Sequence, residues 1–330
     1  MENGEIINLM KFKILPIAGD ASFRKFYRLK LKNCSRLIVF APKERYNNLV
    51  AYTAINKFLI NNKILAPKLY EHNLQKGILV VEDFGDITYH KILVRKKNKF
   101  ETYKKLVDLL IKIQKIKPKL KLQSIIKRPH IVKKYSSRIL HKESDLFFDW
   151  YLPLFLDRKK NKEIKKKAKR ILSKLYSRLN FPNSCFVHRD YHVENLMKFN
   201  KKIGVIDTQD ALIGNPAYDL VSLIDDVRIK ISSKLKNQIF DYYLKKTKKI
   251  HKIKKEKFYE DFNVLSVQRS LKIIGIFSRL SKRDKKNKYL KFIPYTWKLL
   301  EQRMRSEIFL ELRKMLENNI SRRIRNKIIN

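Results

Sequence analysis

Acidic residues are scarce in this chain. Its 330 residues carry 31 Asp and Glu against 77 Lys and Arg, a formal charge of +46. Cysteine is nearly absent: Cys34 and Cys185 stand alone, without C-x-x-C spacing. No zinc ribbon or dithiol redox site is therefore expected, and a reducing compartment fits. No run of about 20 apolar residues occurs, so no membrane-spanning helix and no membrane insertion are expected. Met1 to Asn8 is acidic and has no apolar leader, which makes a cytoplasmic location the expectation.

What is present supports a folded chain. With 44% hydrophobic and 11% aromatic residues, the sequence can fill a large core, and disorder would need fewer apolar side chains. The length suggests two domains or lobes. The positive field would attract nucleotides, RNA or anionic membrane. The excess is mostly Lys, however, and it accompanies abundant Ile and Asn and only 7 Gly. These are the hallmarks of AT-rich codons, and composition drift explains the charge more simply than nucleic-acid binding does. The basic runs Arg158 to Lys169 and Lys245 to Lys255 read as solvated helix faces.

Patterning divides the chain. Phe23 to Leu29 mixes apolar and basic residues as a half-exposed strand does, Leu37 to Ala41 reads as a buried strand closed by Pro42, and Ile78 to Val81 reads as another. Leu49, Tyr52, Ile55 and Leu59 fall at helical spacing within 47–61. The polar break Glu82-Asp83-Phe84-Gly85-Asp86 marks a boundary, giving an N-terminal nucleotide-binding lobe over 1–83 and a C-terminal catalytic lobe over 84–330. Helical patterns dominate from Phe100, with a short β-hairpin expected inside the larger lobe around Phe186 to Asp207. The fold class expected is α+β.

The chemistry concentrates in His188-Arg189-Asp190-Tyr191-His192-Val193-Glu194-Asn195 and in Ile206-Asp207. Phosphoryl transfer needs a divalent cation across the nucleotide phosphates, oxygen ligands for that cation, and a carboxylate that aims the acceptor hydroxyl and takes its proton late. Asp190 suits the last role, and Asn195 and Asp207 suit magnesium. His188 braces the loop. A lone H-R-D recurs by chance, but an Asp, an Asn five residues on and a strand-terminal Asp in that order do not recur readily.

This set resembles the catalytic loop of the aminoglycoside phosphotransferase and choline kinase superfamily, relatives of protein kinases. Ile206 to Ala211 followed by Gly214 to Leu220 is similar to the same superfamily's metal-binding segment, with Asp219 in a structural role at a helix N-terminus. More narrowly, five stretches resemble the bacterial anomeric N-acetylmuramate/N-acetylglucosamine kinases. They are Ala18 to Arg24, Val81 to Asp86, Asp149 to Leu152, His188 to Met197 and Gln268 to Leu280. The resemblance implies a bilobal, protein-kinase-like fold with a small β-rich N-lobe and a larger helical C-lobe. It implies ATP and Mg2+ as cofactors and a sugar 1-phosphate as product, within cell-wall sugar recycling. A monomer acting on a small sugar is expected.

Further residues follow from this resemblance. Ala21, Ser22, Phe23 and Arg24 fall where kinases cover the nucleotide phosphates, and the backbone of Glu82 and Phe84 falls where the adenine edge binds. Asp149, Trp150 and Tyr151 are candidates for a sugar-binding wall, set against a core role for Trp150. His192, Arg269 and Lys272 are candidate substrate residues, with a solvated cationic face as the alternative for the last two. One departure stands out: the strand Leu37 to Ala41 lacks the lysine with which kinases grip phosphate, so Arg24 or Lys43 must serve. Two alternatives compete. One is the same chemistry on another alcohol (an aminoglycoside, choline or homoserine), although a polycationic antibiotic suits an acid-poor chain badly. The other is a catalytically silent RNA-binding protein.

Overall fold

A computed structural model describes residues 13–17, 24–41, 46–251 and 254–326. In chain order the elements are β1 (Lys13–Ile17), β2 (Lys25–Lys30), β3 (Ser35–Phe40), α1 (Tyr46–Asn61), β4 (Leu69–Asn73), β5 (Ile78–Glu82), α2 (Tyr89–Arg95), α3 (Phe100–Gln114), β6 (Lys121–Leu122), β7 (His130–Ile131) and α4 (Ser137–Leu146). There follow α5 (Arg158–Ser177), β8 (Cys185–Val187), β9 (Leu196–Phe199), β10 (Lys202–Val205), β11 (Leu212–Gly214), α6 (Ala217–Ile224), α7 (Ser233–His251), α8 (Lys255–Asp284), α9 (Ile293–Arg303), α10 (Leu310–Asn319) and α11 (Arg322–Asn326). A π-helical turn, Phe147–Tyr151, extends α4. No helix among the described residues is long and apolar enough to cross a membrane.

The chain forms two compact units. The first takes the described residues up to Ile87, together with Lys121–Ile131 and Met197–Asp210. Its main sheet runs β1-β2-β3-β5-β4, with β2 antiparallel to β3 and β3 antiparallel to β5. Val39, Leu79 and Val81 point to one face and pack with Leu49 and Tyr52 of α1. The period of two in the strands and the helical spacing in α1 thus bury a common apolar surface.

The hairpin of β9 and β10 belongs to this first unit, whereas the sequence placed it inside the helical lobe. Its two-residue turn, Asn200 and Lys201, has φ of 44° and 63°, the left-handed pair that matches strand twist. Val205 N–H donates to Leu65 O at 2.8 Å and Lys198 N–H to Ile87 O at 2.8 Å. The Phe84 ring lies 4.8 Å from that of Phe199 and so close over Gly204 that a Cβ there would sit 2.5 Å from Phe84 Cε2. The hairpin is therefore stitched to residues on either side of the 83/84 break, and the unit boundary follows those bonds.

The second unit is helical apart from the short β8–β11 ladder, in which Leu212 pairs with Val187 and Gly214 with Cys185. Its centre is α8, which is buried almost all round from Phe258 to Leu280 and packs on α4, the π-turn, α6 and α9. Its buried residues mix Phe262, Leu265, Ile274 and Phe277 with the polar Asp261, Gln268, Arg269 and Lys272. On α5, Ile164, Ala168, Ile171, Leu172 and Leu175 face inward, while most of the Lys and Arg residues between 158 and 169 face solvent.

Candidate active site

In the second unit, β8 delivers the chain into the loop 188–195. Asp219, in the first turn of α6, accepts the N–H of His188 at 2.7 Å and that of Arg189 at 3.0 Å. It thus ties the loop to the first turn of α6. Burial raises the Asp219 carboxyl to about 6, against the pull of His188 and the two N–H donors. Arg189 has φ of 72°, a conformation unusual for a residue with a side chain and stable only when its surroundings enforce it. The Asp219 bond enforces it from one side, and Arg269 Nη1, donating to Arg189 O at 2.8 Å, enforces it from the other.

This bend brings Asp190 to the surface. Its side chain is 35% exposed, although His188 is 1% and Tyr191 0% exposed. His188 is buried, and its Nδ1 accepts the Asp190 N–H at 3.3 Å. Arg269 Nη1 lies 3.4 Å from Asp190 Oδ1. Partial burial raises the Asp190 carboxyl, but Lys272 and Arg269 outweigh it and hold the group well below the usual carboxylate range. It is ionised at neutral pH.

Asn195 is oriented by the same loop. Its Nδ2 donates to Asp190 O at 3.0 Å and lies 3.4 Å from His192 Nε2. Burial, reinforced by Arg228, pushes the His192 imidazole down to about 3, so it is neutral and Nε2 can accept. Both amide hydrogens face the loop. That leaves Asn195 Oδ1 for a cation.

In the first unit, Glu82 ends β5 with its N–H donated to Lys68 O at 2.8 Å. Asp83 accepts from Arg28 Nε at 2.5 Å, Ser35 Oγ at 2.7 Å and Gly85 N–H at 2.8 Å. Arg28 also donates to Asp86 at 2.7 Å. Burial works to raise the Asp83 carboxyl, and Arg28 and Ser35 overcome it, so Asp83 is held low. The segment 82–86 is thus clamped to β2 and β3. The Phe84 backbone makes no hydrogen bond among the described residues. Asp207 follows β10 with φ of 61°. Its side chain is 45% exposed, with Arg24 Nη1 3.6 Å from Oδ1. Gln209 Nε2 donates to Asp207 Oδ1 at 2.9 Å, and Arg24 Nη1 donates to Gln209 Oε1 at 3.4 Å. Of the cations considered for the missing strand lysine, Arg24 is thus placed beside Asp207. Ala21, Ser22, Phe23 and Lys43 lie outside the described residues.

No group of three or more His, Cys, Asp and Glu side chains that could hold a metal occurs among the described residues. Magnesium carried by nucleotide phosphates needs only one or two protein oxygens. The Asp207 carboxylate in the first unit and the Asn195 amide oxygen in the second are each a hard oxygen donor of the kind magnesium takes.

Residues 13–253 match the profile of the phosphotransferase enzyme family. The chain belongs to that family. Among curated relatives, the N-acetylmuramate/N-acetylglucosamine kinase of Pseudomonas aeruginosa is 31% identical over 294 residues, 88% of this chain and 83% of that one. Among solved structures, an ADP-bound aminoglycoside phosphotransferase superposes with a TM-score of 0.59 at 13% identity, covering 91% of this chain and 95% of its own. A choline/ethanolamine kinase family protein from Mesorhizobium loti gives 0.61 at 10% identity, covering 93% and 92%. The α+β, protein-kinase-like fold expected from the sequence is the fold observed, and the chain is an ATP-dependent phosphotransferase.

The remaining candidate residues of this phosphotransferase fall in different settings. Arg269 and Lys272 are 4% and 6% exposed, so neither belongs to a solvated face. His192 is buried beside Asn195. Asp149 is exposed and paired with Lys165 at 2.6 Å, and Trp150 is half-buried. Tyr151 is a core residue at 0% exposure. Its ring stacks on Phe147, and its hydroxyl accepts the Trp297 indole N–H at 3.0 Å. It offers no wall to a ligand.

Sequence reasoning missed Glu143. This α4 carboxylate is 5% exposed and accepts from Arg189, Tyr135, Gln268 at 2.9 Å and Tyr218 at 3.3 Å. Lys272 Nζ lies 3.1 Å away. The signal was a lone acid on the stripe of Leu140 and Phe147, at i+3 and i−4, where an apolar residue would be expected.

Proposed function

We propose that this phosphotransferase moves the γ-phosphate of ATP to the anomeric hydroxyl of an N-acetylated amino sugar, N-acetylmuramate or N-acetylglucosamine, and releases a sugar 1-phosphate. The observation that carries the reading is Asp190: ionised, partly exposed, and fixed on a loop whose backbone is bonded from Asp219, Arg269 and Asn195. The name of the Pseudomonas relative supplies the acceptor.

Asp190 accepts a hydrogen bond from the acceptor hydroxyl and aims its oxygen at the γ-phosphorus. The new P–O bond forms as the bond to the β,γ-bridging oxygen breaks, ADP leaves, and the hydroxyl proton passes to Asp190 late. A carboxylate held so low is a weak base. Its contribution is orientation and late proton capture rather than early deprotonation. Asn195 and Asp207 would hold Mg2+, which neutralises phosphate charge when bound. Arg24, fixed by Gln209 beside Asp207, supplies the cation that the strand lacks. The Phe84 N–H and the Glu82 carbonyl would meet the adenine edge. The product suits a following nucleotidyl transfer in sugar recycling.

The test is ADP release with Mg2+ across N-acetylmuramate, N-acetylglucosamine, choline, homoserine and an aminoglycoside. The expected result is turnover with the two amino sugars and background rates with the others. Turnover confined to choline, homoserine or the antibiotic would refute the acceptor assignment.

A further inference from the structure

We infer that Glu143 is a positioning residue for phosphoryl transfer: from α4 it fixes Arg189 and Lys272, and through them it sets the orientation of Asp190. The inference rests on the reading of Asp190 given above. Glu143 Oε1 takes the Arg189 guanidinium and Lys272 Nζ, at 3.1 Å for the latter. Glu143 Oε2 takes Gln268 Nε2 at 2.9 Å and the hydroxyls of Tyr135 and Tyr218. Both oxygens are thus fully engaged inside the protein, and the side chain is 7% exposed.

The charges explain why a carboxylate is needed there. Arg189, Arg269 and Lys272 lie close together, and the carboxylates that act on Lys272 are Glu143 and Asp190. With Glu143 ionised, Lys272 is anchored on α4 by its 3.1 Å contact, and the cation in direct contact with Asp190 is Arg269, 3.4 Å from Oδ1. With Glu143 neutral, Lys272 keeps its charge in a buried site, with Asp190 the other carboxylate that acts on it. A stranded buried cation is costly and moves toward whatever anion it can reach. Lys272 then pairs with Asp190 and draws its oxygen off the acceptor hydroxyl. The arrangement also places the strained bend at Arg189 under side-chain control, because Glu143 grips the side chain of the residue that precedes Asp190.

A purely structural role would lower stability and leave the pH profile alone. The positioning role moves the profile. Glu143 on α4, Tyr218 on α6, and Asp190 and Arg189 on the loop all face Lys272. Burial lowers the Lys272 ammonium, and Glu143 is the largest influence that raises it above its ordinary value. Removing the Glu143 charge leaves burial dominant, so Lys272 loses its proton at lower pH.

Glu143→Gln tests this. The expected result is a fall in kcat of about 10- to 100-fold at neutral pH, as for a misplaced reacting group, with KM for both substrates nearly unchanged and kcat rising again toward alkaline pH, where Lys272 sheds its proton and releases Asp190. In Glu143→Gln with Lys272→Met the stranded ammonium is gone, and kcat recovers above that of the single variant. If Glu143→Gln alone does not fold, the double variant decides: folded and active supports the inference, and unfolded or inactive overturns it. A folded Glu143→Gln with wild-type kcat and pH profile also overturns it. Asp190→Asn in parallel separates the two readings: inactive beside a fully active Glu143→Gln, it sinks only the inference, and if it is active the underlying reading fails.

Discussion

Asp190→Asn is expected to cut turnover by about 10²- to 10⁴-fold, the usual contribution of a positioned general base, while leaving the fold intact. The substitution is isosteric. The asparagine oxygen still accepts from Arg269, which lies 3.4 Å from Asp190 Oδ1. The bonds that shape the loop use main-chain atoms: His188 and Arg189 N–H to Asp219, and Asn195 Nδ2 to Asp190 O. None depends on the 190 side chain. What disappears is the capacity to take a proton and the negative charge that orients the hydroxyl. Nucleotide affinity should change little, because the residues assigned to ATP lie elsewhere in the chain. Steady-state kinetics, with thermal unfolding as a control, checks this. A folded variant with kcat within about threefold of wild type contradicts the base assignment.

The second large effect is on stability. Gly275→Ala is expected to destabilise the protein, although alanine is favoured over glycine by roughly 1 kcal/mol inside an ordinary helix. At this point α8 crosses the junction of α4 and the π-turn. A Cβ on residue 275 would sit 2.3 Å from Leu146 C, 2.5 Å from Leu146 O and 2.5 Å from Phe147 N. These are backbone atoms and cannot swing aside. The helices must separate, and overpacking of this kind costs about 1–3 kcal/mol, occasionally more. The clash therefore outweighs the propensity gain. The same separation would stretch the 3.1 Å contact between Glu143 on α4 and Lys272 on α8, so kcat should fall along with stability. Thermal melts should show a drop of several degrees, on the scale of 2–4 °C per kcal/mol for chains of ~150–250 residues. An unchanged or raised Tm would mean that the crossing is looser than described.

Much of the architecture was legible because its signals are local. The apolar runs of β3 and β5 and the helical spacing in α1 and α3 reflect side chains that alternate or repeat on one buried face. The loop 188–195 stood out in the sequence, and the structure joins Asp190 and Asn195 on it through the bond from Asn195 Nδ2 to Asp190 O. What stayed hidden depends on partners far off in the chain. The hairpin of β9 and β10 joins the first unit through Leu65, Ile87 and Phe84, and nothing between residues 197 and 210 announces those contacts. Lys272 and Arg269 looked like two more solvent-facing cations in a lysine-rich chain. Their burial is set by Glu143 and Asp190, 79 residues away in the case of Arg269 and Asp190. The core position of Tyr151 is fixed by Trp297, 146 residues on.

The central claim is transfer of phosphate to the anomeric oxygen of an N-acetylated amino sugar. Proton-coupled phosphorus NMR of the product formed from ATP, Mg2+ and N-acetylmuramate tests it most directly. A new sugar-phosphate resonance split by the anomeric proton is predicted. A phosphorus coupled to the C6 protons, or no sugar phosphate beside ADP and inorganic phosphate, would contradict it.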